Sequence, residues 1–423
     1  MAHSQHSIRY GNRSIVLKWP SSVDVTLVGR RPSVAADEDA ALLYTMGSPL
    51  GAGMNSFETF IMDARRPLVV VNDATRSTPT ARILPKLLPA LSRNPDWRVM
   101  VATGLHRAPS EGELQVIFGE SLPDIRDRIL IHDGRDSSAN RTLESLAGAI
   151  SLNRDVLASD LLIPITSVEP HFFAGFTGGR KSIIPGLAGK ETVERSHAGA
   201  VSEEACALKT DGNPVREFID LGSQVINSER VFSIQVVLDA ADQIVAAYAG
   251  HVDLCFPRAC HAALKYYEAP VDQLFDIVVA AVHPPLDLNL YQMQKGWELC
   301  RPAVREGGVM IVTSPCNEGV GSPFYQRLSE EFPNQADWLG LADRPYTMGL
   351  HKLVRTARMT QRCRLMAVTN MSPYDVQRFG YEPHGHVNAA IAAAIDYVGT
   401  PARALIVNDA ALTTVTIRND KHS

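Results

Sequence analysis

The densest group of residues that could do chemistry lies at 171–190, in the sequence HFFAGFTGGRKSIIPGLAGK. Glycines let backbone N–H groups approach an anion closely, and Arg180 with Lys181 supplies positive charge. The segment therefore predicts an anion site, for example for a phosphate. It differs from an ATP-type P-loop, in which Gly stands directly before Lys, because Arg180 intervenes here. A glycine-rich turn without a ligand is the plainer alternative.

Histidines form the second group of candidate residues. His106 and His171 each follow a predicted strand, and His197 comes after the glycine-rich segment by the length of a helix. Two imidazoles at strand ends predict a general acid/base pair, because histidine titrates near neutral pH. A zinc site made of all three histidines is the competing interpretation, although zinc ligands usually include two that are close in sequence.

A third group lies in DLNLYQMQKGW at 287–297. Gln292 and Lys295 are three positions apart and would share one face of a helix. An amide and an ammonium together suit a carboxylate ligand. On spacing alone, however, a solvent-exposed Gln/Lys helix face is the more typical interpretation.

The elements that must position these residues are short apolar strands alternating with amphipathic helices. Helical patterns occupy 81–93 and 258–267. Fully apolar strands alternating with helices are typical of parallel sheets covered on both faces, so the sequence predicts an α/β fold. The predicted strands are 68–71, 99–102, 129–131, 161–165, 231–238, 277–282, 308–313, 364–369 and 404–407.

Polar residues follow four consecutive predicted strands. Asp73 and Arg76 come after the first, His106 after the second, His132 after the third and His171 after the fourth. Ligand sites of open α/β sheets lie beyond the carboxyl ends of the strands. We therefore expect these side chains to converge on one edge of a sheet.

The chain has 423 residues, which exceeds the roughly 250–300 residues that one hydrophobic core usually serves. This length predicts two domains. A boundary is plausible at 268–274, between a helix and a new strand, which gives an N-terminal domain at 1–270 and a C-terminal domain at 271–423.

The composition favours small molecules as partners. A formal net charge of −5 argues against nucleic-acid binding, which normally needs a basic face. The N-terminal residues lack a signal-peptide pattern, and no run of 18 apolar residues occurs. We therefore expect a cytoplasmic protein that does not bind membranes, with its six cysteines reduced. The oligomeric state is not readable from the sequence.

Taken together, the motifs resemble the nickel-pincer-nucleotide-dependent lactate racemase family, a family of 2-hydroxy acid racemases and epimerases. The long glycine-rich motif with its lysine and trailing histidine is the most specific of them, and the motifs span most of the chain. They are DATRSTP (73–79), TGLHR (103–107), HFFAGFTGGRKSIIPGLAG (171–189) followed by His197, and DLNLYQMQK (287–295).

The resemblance implies a cofactor and a role for each candidate residue. The cofactor is a pyridinium-3-thioamide-5-thiocarboxylic acid mononucleotide that carries nickel, and Lys181 would tether it. His197 would bind the nickel in a planar environment, and His106 with His171 would be the acid/base pair. The resemblance assigns substrate binding to Arg76, Gln292 and Lys295, and contacts to the cofactor to Asp73, Thr177, Gly178, Gly179 and Arg180.

The implied reaction is the racemisation of a small 2-hydroxy acid such as lactate or malate. One histidine removes the hydroxyl proton while the Cα hydride passes to C4 of the pyridinium; the 2-keto acid rotates, and the hydride returns to its other face. The resemblance also implies an active site in an interdomain cleft and transient contact with cofactor-assembly enzymes. From the residues alone, a non-catalytic nucleotide- or phosphate-binding protein and a zinc-dependent hydrolase remain alternatives.

Overall fold

The computed structural model describes residues 6–33, 37–51 and 53–418. Within this described chain, the contacts separate two compact units. The N-terminal unit runs from Arg31 to Tyr266, and the C-terminal unit comprises the chain from Tyr267 onward together with the segment up to Arg30. Both units contain largely parallel sheets flanked by helices, which confirms the predicted α/β fold.

The first strands of the chain belong to the C-terminal unit. They are β1 (His6–Tyr10), β2 (Arg13–Leu17) and β3 (Val23–Val28). β1 and β2 form an antiparallel hairpin.

The N-terminal unit follows with alternating helices and strands. Its elements are α1 (Glu38–Gly47), α2 (Phe57–Ile61), β4 (Pro67–Asn72), α3 (Thr80–Leu91), β5 (Arg98–Ala102), α4 (Glu111–Phe118), α5 (Leu122–Ile125), β6 (Ile129–Ile131), β7 (Asn140–Leu143), β8 (Ile150–Asn153), α6 (Arg154–Ala158), β9 (Leu161–Ser167), β10 (Pro170–His171), β11 (Gly175–Phe176), α7 (Lys190–Ala198), α8 (Pro214–Ser223), β12 (Ser233–Leu238), β13 (Ile244–Gly250) and α9 (Val252–Tyr267).

The main sheet of this unit has the strand order β13-β12-β9-β4-β5-β6. The pairings from β12 to β6 are parallel, and β13 joins in the antiparallel direction. β4 is continuously apolar because both of its faces are covered; Val69 and Val71, for example, pack in one core with Ile83 and Leu87 of α3. The carboxyl ends of β4, β5, β6 and β9 therefore lie at one edge, as the sequence predicts.

The order of these strands reverses at one place. The chain runs from β4 outward to β5 and β6, and then returns to the other side of β4 to form β9. The boundary between β4 and β9 is a topological switch point, where open α/β sheets form a crevice for ligands. The loops after these strands carry Asp73 and His171.

The C-terminal unit repeats the pattern of alternating strands and helices. Its further elements are β14 (Glu268–Val271), β15 (Phe275–Ala281), α10 (Leu290–Cys300), β16 (Val304–Thr313), α11 (Pro323–Glu331), α12 (Leu350–Arg362), β17 (Arg364–Val368), α13 (Pro373–Arg378), β18 (Glu382–His384), α14 (Val387–Val398), β19 (Ala402–Val407) and β20 (Thr414–Ile417).

The main sheet of the C-terminal unit has the order β18-β17-β16-β15-β19-β3, with parallel pairings. Its switch point lies between β15 and β19, since the chain runs from β15 out to β18 before it returns as β19. α10, which contains the predicted substrate residues, begins after β15. The motif at 287–295 therefore follows a strand at the switch point of this sheet.

The observed division differs from the predicted division at 1–270 and 271–423 in one respect. The segment up to Arg30 belongs with the C-terminal unit, because β3 pairs in parallel with β19, from Val23 opposite Ala402 to Val28 opposite Val407. Such a pairing joins segments far apart in the sequence, and no local pattern reports it. Within the described residues, no helix has both the length and the apolar character needed to span a membrane.

Candidate active site

Asp73 and His106 form the closest contact among the predicted site residues. Asp73 follows β4, His106 follows the neighbouring β5, and Oδ2 of Asp73 lies 2.7 Å from Nδ1 of His106. The aspartate is 9% exposed in its side chain and the imidazole 44%. In this geometry Nδ1–H donates to the carboxylate, so Nε2 of a neutral His106 carries the lone pair that a general base needs.

Further contacts hold Asp73 as a carboxylate. Burial alone would raise its pKa, but the hydrogen bond from His106, the charge of that imidazole, the hydroxyl of Thr75 and the charge of Arg76 lower the pKa to about 2. The Thr75 hydroxyl donates to Oδ1 at 2.6 Å, and the Thr75 N–H donates to the same oxygen at 3.1 Å. Asp73 therefore orients His106. The resemblance had placed Asp73 only in the cofactor pocket.

His171 ends the short strand β10 and is 6% exposed. Its Nδ1 accepts a hydrogen bond from the Ala174 N–H at 3.3 Å, so a neutral imidazole here has its proton on Nε2. The ring lies between aromatic neighbours, stacked on Phe172 at 5.4 Å and edge-on to Phe173 at 4.5 Å. These contacts fix the ring orientation of the second predicted acid/base histidine.

His197 lies in the last turn of α7. Its Nδ1 is 2.8 Å from the carbonyl oxygen of Val193 and 2.9 Å from Oγ of Ser196. A histidine whose Nδ1–H donates to a backbone carbonyl presents Nε2 as its metal-binding atom. The hydrogen bond to the carbonyl fixes both the tautomer and the orientation of the ring. The ring also meets Phe173 edge-on at 5.1 Å, so this phenylalanine contacts both His171 and His197.

Lys181 lies in the short helical turn Gly179–Ser182; part of the residue is exposed, but its amine is enclosed by protein atoms. Its pKa is well below the ordinary value for lysine, first because of burial and then because of the positive charges of Arg76 and Arg216; the carboxylates Glu169 and Asp73 act in the opposite direction. A lowered pKa favours the neutral form of the amine, which is its nucleophilic form.

Glu169 and Arg216 belong to the same group of charges, and neither was selected from the sequence. Glu169 is 2% exposed, and its Oε1 lies 3.5 Å from Nη1 of Arg76. Arg216, on α8, is 1% exposed; its Nη2 donates to the carbonyl of Phe176 at 2.7 Å. Glu169 lies two residues after the end of β9, a position that could have drawn attention to it. Nothing in the sequence around Arg216 marks it.

The glycine-rich loop is a packed turn in this structure. The Thr177 N–H donates to the carbonyl of Glu169 at 2.8 Å, and the Gly179 N–H donates to Oε1 of Gln235 at 3.0 Å. Gly178 and Gly179 have φ of +77° and +58°, and a Cβ on Gly178 would meet Gln235 Oε1 at 2.7 Å. Close packing explains these glycines, and the N–H groups of Thr177 and Gly179 already serve protein acceptors.

Arg180, which was predicted to contact the cofactor, has a partner within the protein. Its guanidinium makes a bidentate ion pair with Asp253, with Nε–Oδ1 and Nη2–Oδ2 distances of 2.8 Å each. Two parallel N–H···O bonds to a carboxylate neutralise the guanidinium and fix its position. Because Asp253 lies 73 positions further along the chain, the sequence could not reveal this partner.

Gln292 and Lys295 lie one turn apart on α10, whose first turn is capped by the side chain of Asn289. They are 8% and 9% exposed, so the interpretation as a solvated helix face is wrong. Oε1 of Gln292 is buried without a hydrogen-bond partner among the described residues. A buried amide oxygen without a partner is costly unless a polar ligand meets it.

The three histidines do not assemble a zinc site. Within residues 6–33, 37–51 and 53–418, no group of three or more His, Cys, Asp or Glu side chains is arranged to hold a metal ion. His106 instead contacts Asp73, and His197 contacts a backbone carbonyl.

The fold and the side chains define a class of protein. The edge of the N-terminal sheet carries a carboxylate-held histidine and a second, buried histidine near its switch point, together with a lysine of lowered pKa. Such a set suits acid/base chemistry on a small polar substrate.

Comparisons with known proteins identify the family. Residues 10–208 match the family model of the lactate racemase N-terminal domain, and residues 272–415 match that of the lactate racemase C-terminal domain. The chain belongs to the lactate racemase family. The predicted family is thereby confirmed, and so is the prediction of an isomerase of the racemase type at the level of the family.

Individual relatives agree with this assignment. A lactate racemase of Lactiplantibacillus plantarum is 30% identical over 312 residues, which cover 71% of this chain and 72% of that protein. A lactate racemase of Thermoanaerobacterium thermosaccharolyticum is 29% identical over 277 residues. This second match spans 64% of each protein, slightly less than two thirds of the relative.

Two solved structures have the same fold. The lactate racemase apoprotein from Thermoanaerobacterium thermosaccharolyticum superposes with a TM-score of 0.87 over 98% of this chain and all of that chain, at 24% identity. A Thermotoga maritima protein superposes with a TM-score of 0.70 over 85% of this chain and 96% of that chain, at 18% identity. At these identities the two structures support the fold alone.

Proposed function

We propose that this chain racemises a small 2-hydroxy acid of the lactate type. The relatives named lactate racemase support this reaction and this substrate class. The observation that carries the proposal is the Asp73–His106 contact, because it makes His106 a base of fixed orientation at the edge of the N-terminal sheet. The charge of Asp73 also acts on Lys181, so the lysine belongs to the same group of residues.

His106 and His171 divide the proton transfers. His106 removes the hydroxyl proton of one enantiomer through Nε2, and Asp73 stabilises the imidazolium that forms. The hydroxyl group of the opposite enantiomer lies on the other side of Cα, so a second imidazole is needed there, and His171 supplies it. Each histidine is proposed to act as a base in one direction and as an acid in the other. For His171 to act as a base, its Nδ1 must release the Ala174 N–H so that the ring proton can leave Nε2.

Three residues are proposed to bind the substrate carboxylate. Arg76 supplies a guanidinium of fixed position, since Glu169 holds it at 3.5 Å. Gln292 and Lys295 supply an amide and an ammonium that are buried on α10. Anchoring the carboxylate while the rest of the molecule turns presents both faces of Cα in the same site.

The side chains fit a nickel-pincer nucleotide. The lowered pKa of Lys181 favours the neutral amine that a covalent tether would require, and the Nδ1 contact of His197 leaves Nε2 oriented for a nickel ion. When bound, this cofactor would accept and return the hydrogen of Cα together with its electron pair. The proposed tether is Lys181 and the proposed nickel ligand is His197. The loop at Thr177, Gly178, Gly179 and Arg180 would shape the pocket through its packing.

A panel of single-enantiomer 2-hydroxy acids tests the proposal. Protein produced together with the cofactor-assembly enzymes is mixed with each acid, and the enantiomers are separated by chiral chromatography. We expect racemisation of at least one acid, a loss of about 10²–10⁴-fold in rate for His106→Gln and for His171→Gln, and no loss for the exposed His261→Gln. Cofactor-loaded protein that racemises none of the acids would contradict the proposed function and favour a non-catalytic nucleotide-binding protein.

A further inference from the structure

Only one of the two carboxylate oxygens of the buried Glu169 has a partner in the site described above. Its Oε1 is in an ion pair with Arg76, whereas Oε2 is buried without a hydrogen-bond partner among the described residues. An unsatisfied buried carboxylate oxygen is costly, by about 1–3 kcal/mol or more. An unpaired buried oxygen in a native fold needs an explanation. One explanation is that a bound ligand supplies the missing hydrogen-bond donor.

The position of Glu169 is fixed rather than adaptable. Its N–H donates to Oγ1 of Thr177 at 3.0 Å, and its carbonyl accepts the N–H of Thr177 at 2.8 Å. Arg76 holds Oε1 at the end of the side chain. A carboxylate held at the backbone and at one oxygen can meet a new donor only through its other oxygen, Oε2.

The charges around Lys181 point to the identity of that donor. Arg76 and Arg216 add positive charge near its amine, while Glu169 and Asp73 add negative charge. Among the described residues, no carboxylate is within ion-pair distance of the lysine. Asp73 already accepts hydrogen bonds from His106 and Thr75, so Glu169 is the carboxylate of this group with an unused oxygen.

We propose that Glu169 accepts the proton that Lys181 gives up when it becomes covalently attached to the cofactor. In this step Nζ forms a bond to the carbon of a thiocarboxyl group and the C–OH bond breaks. The sulfur stays, and the hydroxyl leaves as water with the proton that Glu169 took from Nζ. No oxidant or reductant is needed. Oε2 then accepts the N–H that remains on the thioamide nitrogen, directly or through one water.

This inference rests on the proposed function, because it assumes that Lys181 is the tether. The test uses the apo form of the full chain and follows the intact mass after addition of the nickel-pincer nucleotide with a free thiocarboxyl group. We expect the adduct to form on the wild type and to form about 10²-fold more slowly on Glu169→Gln. Glu191→Gln, which alters an exposed carboxylate on α7, is the matched control and should react at the wild-type rate.

A second readout on the same apo protein separates proton transfer from a structural effect. N-hydroxysuccinimide acetate acylates neutral amines, and peptide mass spectrometry reports its rate at Lys181. Removing the charge of Glu169 favours the neutral amine, so Glu169→Gln should acylate at least as fast as the wild type although it attaches the cofactor slowly. Glu169→Asp keeps the charge but withdraws the carboxylate by one methylene, so it should attach the cofactor more slowly than the wild type.

The possible failures are distinct. Attachment to Glu169→Gln at the wild-type rate would overturn the role of Glu169 and leave the proposed function intact. Equal slowing of attachment and acylation would overturn it as well, since this would mean that the variant only disturbs the loop. If Glu169→Gln does not fold, Glu169→Asp decides the question. The shorter aspartate side chain should not reach the Lys181 amine, so cofactor attachment to Glu169→Asp at the wild-type rate would contradict the proposal. A wild type that gains no adduct would instead contradict the tether and the proposed function.

Discussion

Replacing Asp73 by asparagine removes the charge that orients His106 and leaves the size of the side chain almost unchanged. The pKa of Asp73 is lowered from 3.8 to about 2. Because each pKa unit corresponds to about 1.4 kcal/mol, the carboxylate stabilises the folded state by about 2 kcal/mol at neutral pH. Solvent weakens this stabilisation little, because Asp73 is buried and its contact with His106 is only 2.7 Å long.

The sign of the pH dependence follows from the lowered pKa. The unfolded chain binds the proton of Asp73 more tightly than the folded chain does, so this stabilisation is present above about pH 4 and is lost as the pH falls through about 2. The difference in unfolding free energy between wild type and Asp73→Asn should therefore be about 2 kcal/mol at pH 7 and should shrink below pH 4.

A double-mutant cycle isolates the contact. Urea unfolding is measured for the wild type, Asp73→Asn, His106→Gln and the double variant, and racemisation is measured for the same four proteins. We expect a coupling energy of about 1–2 kcal/mol in stability, and we expect Asp73→Asn to lose most of its racemisation rate. Additive stability effects, or an Asp73→Asn variant with the wild-type rate, would refute the account of Asp73 as the partner that orients the base.

Further predictions concern the metal ligand, the loop and a buried lysine. His197→Ala should fold normally but retain less nickel after cofactor loading, as measured by elemental analysis, and an unchanged nickel content would contradict its role. Gly179→Ala should lower the unfolding free energy by more than about 1 kcal/mol, because φ is +58° and a Cβ would lie 2.8 Å from the Phe256 ring; Gly112→Ala, where nothing lies within 4 Å, should not. Burial lowers the pKa of Lys352 to about 7. The unfolding free energy of the wild type relative to that of Lys352→Met should therefore rise between pH 7 and pH 10. Urea unfolding measures this difference, and a difference that does not change with pH would argue against a neutral Lys352.

Local patterns in the sequence account for the sheets and for the edge that carries the site. The strands β4, β5 and β9 are apolar on both faces, which is visible residue by residue, and in a parallel sheet their carboxyl ends must meet. This reasoning led to Asp73, His106 and His171. It did not lead to β3, a half-buried strand whose pairing partner lies at the far end of the chain.

Long-range partners explain the rest of what the sequence could not predict. The glycine-rich surroundings of Arg180 led to the prediction that it contacts the cofactor, but they could not reveal its ion pair with Asp253, which lies on a distant helix. The Gln292/Lys295 face looked solvated because spacing carries no information on burial. Arg216 has a role only through residues that folding brings to it, so no motif could report it.

The central claim is that this chain inverts a 2-hydroxy acid by moving the Cα hydrogen as a hydride that returns to the same carbon. Its most direct test is the racemisation of one lactate enantiomer deuterated at Cα, in ordinary water, by protein loaded with the cofactor. We predict that the opposite enantiomer forms and retains the deuterium, because the hydrogen does not pass through solvent. Product in which the deuterium has been replaced by solvent hydrogen would mean that a base removes a Cα proton, and would contradict this account.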